Sequence, residues 1–131
     1  MLEDGDLDRE FPRQHLNSIR KQCEELVQVQ GCYVDALASG KIEFDLRPLP
    51  STAKEDLFAS MDELDRRLEG HLAASDGTET VEWHGERWNI HRHLSAMIGH
   101  EQMHIGQIVA FCYAVGIEIP PKIVRVMALD G

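Results

Sequence analysis

Three runs of apolar residues spaced three and four apart constrain this chain most, because only an α-helix turns that spacing into one continuous face. Ile19, Cys23, Leu26, Gln30, Tyr33 and Leu37 make the first, in a pattern that turns helical from about Phe11. Leu57, Met61, Leu64, Leu68 and Leu72 make the second, with Thr52 and Glu55 at capping-box spacing ahead of it. The third spans about 89–115, where His93, Met97, His100, His104, Gln107 and Phe111 share one stripe at about 100° per residue. Gly40 and Gly116 stand where the first and third runs stop, and glycine takes a left-handed cap without strain. Between the first two runs, Pro48 and Pro50 impose an extended connection over 41–50.

The rest of the chain is short pieces. Residues 1–10 are acidic and aperiodic, which predicts a flexible arm. The stretch 81–88 reads either as a small hairpin turning at His84-Gly85 or as an ordered loop. Pro120-Pro121 opens a short terminal helix over 122–129. The expectation is an all-α, antiparallel helical bundle, one domain over 11–131, with a short C-terminal helix.

Charge narrows the partners. Lys and Arg total 13 against 23 Asp and Glu, a net charge of −10 that disfavours nucleic acid and anionic membranes. Cys23, Cys32 and Cys112 show no paired spacing and read as reduced, buried small hydrophobes. With no secretory leader pattern and no apolar run near the ~20 residues a bilayer needs, a soluble, cytoplasmic protein is expected.

The residues able to do chemistry crowd onto the third run: His91, His93, His100, Glu101 and His104. His100 and His104, one turn apart, present two imidazoles on one side, a common way for a helix to offer two nitrogens to one metal. Flanking Met97, Ile108 and Phe111 place that stripe toward the bundle interior. His93, two turns earlier, is a candidate to line the pocket or hold a substrate acid. Glu101, about 100° round the helix from His100, suits an outer catalytic role, and Gln107 suits orienting a ligand or a water. The segment His100-Glu101-Gln102-Met103-His104 is also a literal HExxH, the zincin protease motif. A third zincin ligand has poor candidates, however: Glu118 precedes two prolines and Asp130 is near the end. Gln107 stands where the extended motif needs glycine, and no sheet edge is in view for a peptide.

The stretch 100–108, reading HEQMHIGQI, resembles the HxxxHxGQI signature of the DinB/YfiT-like family of metalloenzymes. Ile19-Arg20-Lys21-Gln22, Tyr33-Val34-Asp35-Ala36-Leu37, Gly40-Lys41-Ile42-Glu43-Phe44, Val81-Glu82-Trp83, Gly116 and Pro120 are similar to the same template. The resemblance implies a four-helix bundle, often dimeric, that binds zinc or nickel through three histidines. It also implies a small-molecule substrate, with a low-molecular-weight thiol as co-substrate in some members. Two departures follow from the alignment. Glu25 falls where the family's first histidine sits, making Glu25, His100 and His104 the expected ligand set, with His15 or Glu24 as fallbacks. The family's first helix has no counterpart in 1–10, and the apolar face left bare predicts a homodimer.

The resemblance thus implies a metal-dependent transferase, isomerase or hydrolase acting through a metal-activated water or thiolate. The alternative is a non-catalytic dimeric bundle with a degenerate site serving as a binding or stress-response module; a zincin-type protease comes last. His71 and His91 read as surface residues, and Trp83 and Trp88 as packing or a cap over the site.

Overall fold

The computed structural model describes residues 3–11 and 17–129. In chain order it contains α1 (Asp4–Leu7), α2 (Ile19–Ser39), α3 (Lys54–Ala74), β1 (Thr80–Trp83), β2 (Glu86–Asn89), α4 (Ile90–Val115) and α5 (Pro121–Val126). The described residues are thus mainly helical, with one two-stranded antiparallel sheet.

Caps explain most of the helix boundaries. Ser18 accepts a hydrogen bond from the Lys21 amide and Asn89 from the Arg92 amide, so α2 and α4 start with side-chain N-caps. Both end on a left-handed glycine, Gly40 and Gly116. The first helix therefore begins at Ile19 and not near Phe11, whose amide instead donates to the Asn17 carbonyl. The capping box expected at Thr52 and Glu55 does not form: α3 starts at Lys54, behind Ala53, without a side-chain cap. The terminal helix begins with Pro121 at its first turn and stops at Val126. His84 and Gly85 both have positive φ, which a two-residue hairpin turn requires, and they join β1 to β2 as a hairpin.

The packing directions differ from the expected antiparallel bundle. Along α2 and α4 the pairings run oppositely: Gln22 meets His104, Gln30 meets Glu101, and the Tyr33 carbonyl meets His93. Along α2 and α3 they run together. Arg20 donates to the Thr52 carbonyl, Leu64 lies over Gly31, and Arg67 pairs with Asp35. Helix α3 is therefore parallel to α2. The connection makes this possible: α2, with 21 residues, is roughly 31 Å long at about 1.5 Å per residue. The chain from 40 to 53 can span about 45 Å when extended, enough to return along the whole helix. Gln28 bonds the Arg47 carbonyl on the way back, and residues 40–42 pair with Glu82 of the hairpin.

Two buried clusters result. Val29, Cys32, Tyr33, Val34, Ala36, Ile42, Val81 and Met97 form one around the middle of α2. Leu7, Ile19, Phe111 and Cys112 form the other at the far end of α4. The second cluster takes in part of the stretch expected to be a flexible arm. Leu7 of α1 is buried, Phe11 packs on Phe111 with ring centroids 4.1 Å apart, and Arg20 binds both Asp4 and Asp8. An acidic segment stays put here because a partly buried guanidinium receives it.

No fourth long helix is present among the described residues, and α3 shows the consequence. Of its apolar stripe only Leu57 is buried; Met61, Leu64 and Leu68 are half-covered and Leu72 is exposed. Phe58 on α3 and Ile98, Met103 and Tyr113 on α4 are also exposed.

Candidate metal centre

The crossing of α2 and α4 brings His100, His104 and Glu25 together, with their donor atoms all within 4.8 Å of one another. The two Nε2 atoms are 3.2 Å apart, and His104 Nε2 is 3.9 Å from Glu25 Oε1. Two ligands each about 2.0–2.1 Å from one tetrahedral ion sit roughly 3.3–3.4 Å apart, so the imidazole pair matches the edge of such a site. Helical register accounts for the pair, since positions four apart on α4 stack on one face. Antiparallel packing supplies Glu25 from the facing helix.

Electrostatics favour neutral imidazoles, the form a metal needs. Burial pushes the pKa of both histidines below the ordinary histidine value; for His100 the neighbouring His104 adds to the lowering, and the Glu25 carboxylate opposes it at both. His104 is 2% exposed, whereas the Glu25 side chain is 51% exposed. The site therefore has a buried imidazole floor and a carboxylate on its solvent side. Two imidazoles and one carboxylate form a donor set that suits zinc and leaves coordination positions free. The residues present fit the ion that the resemblance implies.

Gln22 is the residue that sequence reasoning missed. It is 5% exposed, and its Oε1 lies 2.5 Å from His104 Nδ1. A signal was there to read: among Ile19, Leu26 and Val29 it is the polar residue on a buried face, and buried polar groups are there with a partner.

Other candidates lie elsewhere. His93 is completely buried, and both of its nitrogens are used: Trp83 Nε1 donates to Nδ1 at 3.0 Å, and Nε2 donates to the Tyr33 carbonyl at 2.9 Å. No nitrogen is left for a cofactor or a substrate acid, so His93 is a core residue. Glu101 accepts from Gln30 at 3.2 Å and lines a small cavity, about 80 Å³, with Met61, Leu64, Asp65 and Leu68. It faces α3 and not the paired imidazoles, where a zincin base or an outer catalytic group would have to be. Gln107 is half-buried on the histidine stripe and makes no hydrogen bond to the pair among the described residues. Glu24 is ion-paired with Lys21, and His15 lies outside the described residues. Trp83 stacks on Trp88, and Arg92 covers the other ring face at 3.8 Å, so both tryptophans pack the hairpin onto α4. His91 is exposed, and His71 sits by the hairpin among Leu37, Val81 and Ile90.

Among the described residues no helix is long and apolar enough to cross a membrane. A cavity of about 460 Å³ lies between α2 and its returning connection, lined by Gln28, Cys32, Asp35, Lys41 and Arg47, but none of the three metal-site residues lines it. No protein-family model and no curated protein matches the chain.

Proposed function

We propose that this protein is a divalent-metal-dependent enzyme of the DinB/YfiT-like kind, and that zinc or nickel is held by Glu25, His100 and His104. The observation that carries the reading is the convergence of these three donors from two helices, with burial lowering the pKa of both imidazoles. A divalent ion there supplies a Lewis acid that makes a water or thiol nucleophilic near neutral pH. The chain's own part is to favour neutral imidazoles through burial and to leave the Glu25 side open to a small-molecule substrate. Thiol-dependent transfer or isomerisation, or hydrolysis, suits such a site in a cytoplasmic protein. The test is elemental analysis of protein purified without an affinity tag. Near-stoichiometric zinc or nickel, lost to a chelator and regained on addition, is the expected result. Protein that carries no metal and takes up none would leave the non-catalytic dimeric bundle instead.

The bare apolar face supports a homodimer in the same reading. Phe58, Ile105, Val109 and Ile123 border a groove of about 460 Å³ beside α4, and Ile98 of α4 is exposed. A two-fold partner burying more than the ~1,200 Å² of a specific interface would cover this face. Sedimentation at micromolar concentration is expected to give about twice the 14.9 kDa chain mass, and a clean monomer would rule the dimer out.

A further inference from the structure

The geometry points to Gln22 as the positioning residue of the metal centre: its buried carboxamide oxygen takes the Nδ1 proton of His104 and turns the Nε2 lone pair toward His100 and Glu25. This rests on the metal reading above and adds to it a residue that touches no metal. Three observations carry it. Gln22 Oε1 and His104 Nδ1 are in hydrogen-bond contact in a place closed to water, with Gln22 at 5% and His104 at 2% exposure. A carbonyl oxygen can only accept, so the ring nitrogen it meets must carry the proton, and a neutral imidazole has only one proton to place. The other nitrogen, Nε2, is the one 3.2 Å from His100 Nε2 and 3.9 Å from Glu25 Oε1.

The two imidazoles differ in this respect. His100 Nδ1 is buried and has no hydrogen-bond partner among the described residues. The His100 ring is held through Nε2 alone, by its contact with His104 Nε2, and lies by the Tyr33 ring with centroids 6.2 Å apart, whereas the His104 ring has a further directed bond through Nδ1 to Gln22. His104 is therefore the oriented anchor of the pair. Partners of this kind fix the tautomer of a ligating histidine, and their loss typically weakens metal binding by about 10–100-fold. An amide also does this without adding a negative charge beside Glu25, so the ligand set keeps a single carboxylate.

Two measurements on the full chain test the assignment. In the metal-free protein, long-range ¹H–¹⁵N correlation spectra read the tautomer of each histidine directly. His104 is expected with its proton on Nδ1 and a bare Nε2; a proton on Nε2 would overturn the proposal without any variant being made. Cobalt(II) titration of untagged protein reads affinity and ligand field. Gln22→Met keeps the side-chain size and removes the acceptor, and is expected to bind cobalt about 10–100-fold more weakly with an altered visible spectrum. Gln22→Glu keeps an acceptor and is expected to bind at least as tightly as the wild type, which a merely space-filling role would not produce. If Gln22→Met binds like the wild type, Gln22 has no positioning role although the metal site stands. If the wild type itself takes up no cobalt, the metal reading falls and this assignment falls with it.

Discussion

His104→Ala is expected to abolish metal retention, while His71→Ala leaves it intact. Of the three candidate ligands, His104 is the most buried and holds a directed bond to Gln22, so the alanine variant loses a donor that no neighbour can replace. Loss of an outer partner alone typically costs about 10–100-fold in affinity, and loss of the ligand itself should exceed that. Glu25→Gln should be milder. Its side chain is half exposed, and a neutral amide oxygen remains at the same place. Metal content after dialysis, with circular dichroism to show that the helices persist, decides the matter. Equal retention by His104→Ala and wild type would remove the centre from this position.

The second large effect belongs to His93, and it is one of stability. Trp83 donates into its Nδ1, so a proton there would meet an N–H head-on in a fully buried site. Burial accordingly pushes the His93 pKa below the ordinary histidine value, against a smaller opposing pull from the Tyr33 carbonyl. The unfolded chain then binds more protons than the folded one just below about pH 6.5. The stability contribution is fully present above that value and is lost as pH falls through the folded pKa. Denaturant melts of chelator-treated protein should show stability declining with acidity below about pH 6.5. His100 and His104, also lowered, add to the same slope. His93→Phe should flatten it by at most about 1.4 kcal/mol per pH unit, one proton's worth. The same variant should lower stability at neutral pH by about 1–3 kcal/mol, because the Trp83 N–H is left unpaired. His93→Ala adds a cavity and should cost about 3 kcal/mol or more, a large part of what a domain this small holds. A wild-type profile that is flat between pH 7 and 5 would contradict the assignment.

Much of this was legible in the residues, and the part that was not has a physical cause. Periodicity located the three long helices, and Gly40 and Gly116 marked two of their ends, since left-handed caps are a local property of glycine. The His100–His104 pair was legible for the same reason: a four-residue spacing on a helix fixes which side chains are neighbours. Direction was not legible. An apolar stripe says which face is covered but not which way the neighbour runs, and the extended connection through Pro48 and Pro50 was read without its consequence, a return along α2 that sets α3 parallel to it. Burial depth was equally hidden: His93 lies on the same stripe as His104, and only the hairpin that folds Trp83 onto it decides that it is core. Glu101 sits one position from His100, yet that single step of about 100° moves it to the α3 side.

The parallel pairing of α2 and α3 bears on how quickly this chain reaches its native state. In an up-and-down pair, the first contacts lie a few residues either side of a tight turn, and the helices zip outward from it. Here α2 meets α3 and the residues just ahead of it through pairs 32 apart in sequence, Arg20 with Thr52 and Asp35 with Arg67. Neither contact lies beside a tight turn from which that pair can grow. A loop of some thirty residues has to close first, and its entropy is spent before any packing returns it. Folding should therefore be slower than for an antiparallel bundle of equal length and stability, with the docking of α3 on α2 as the late event.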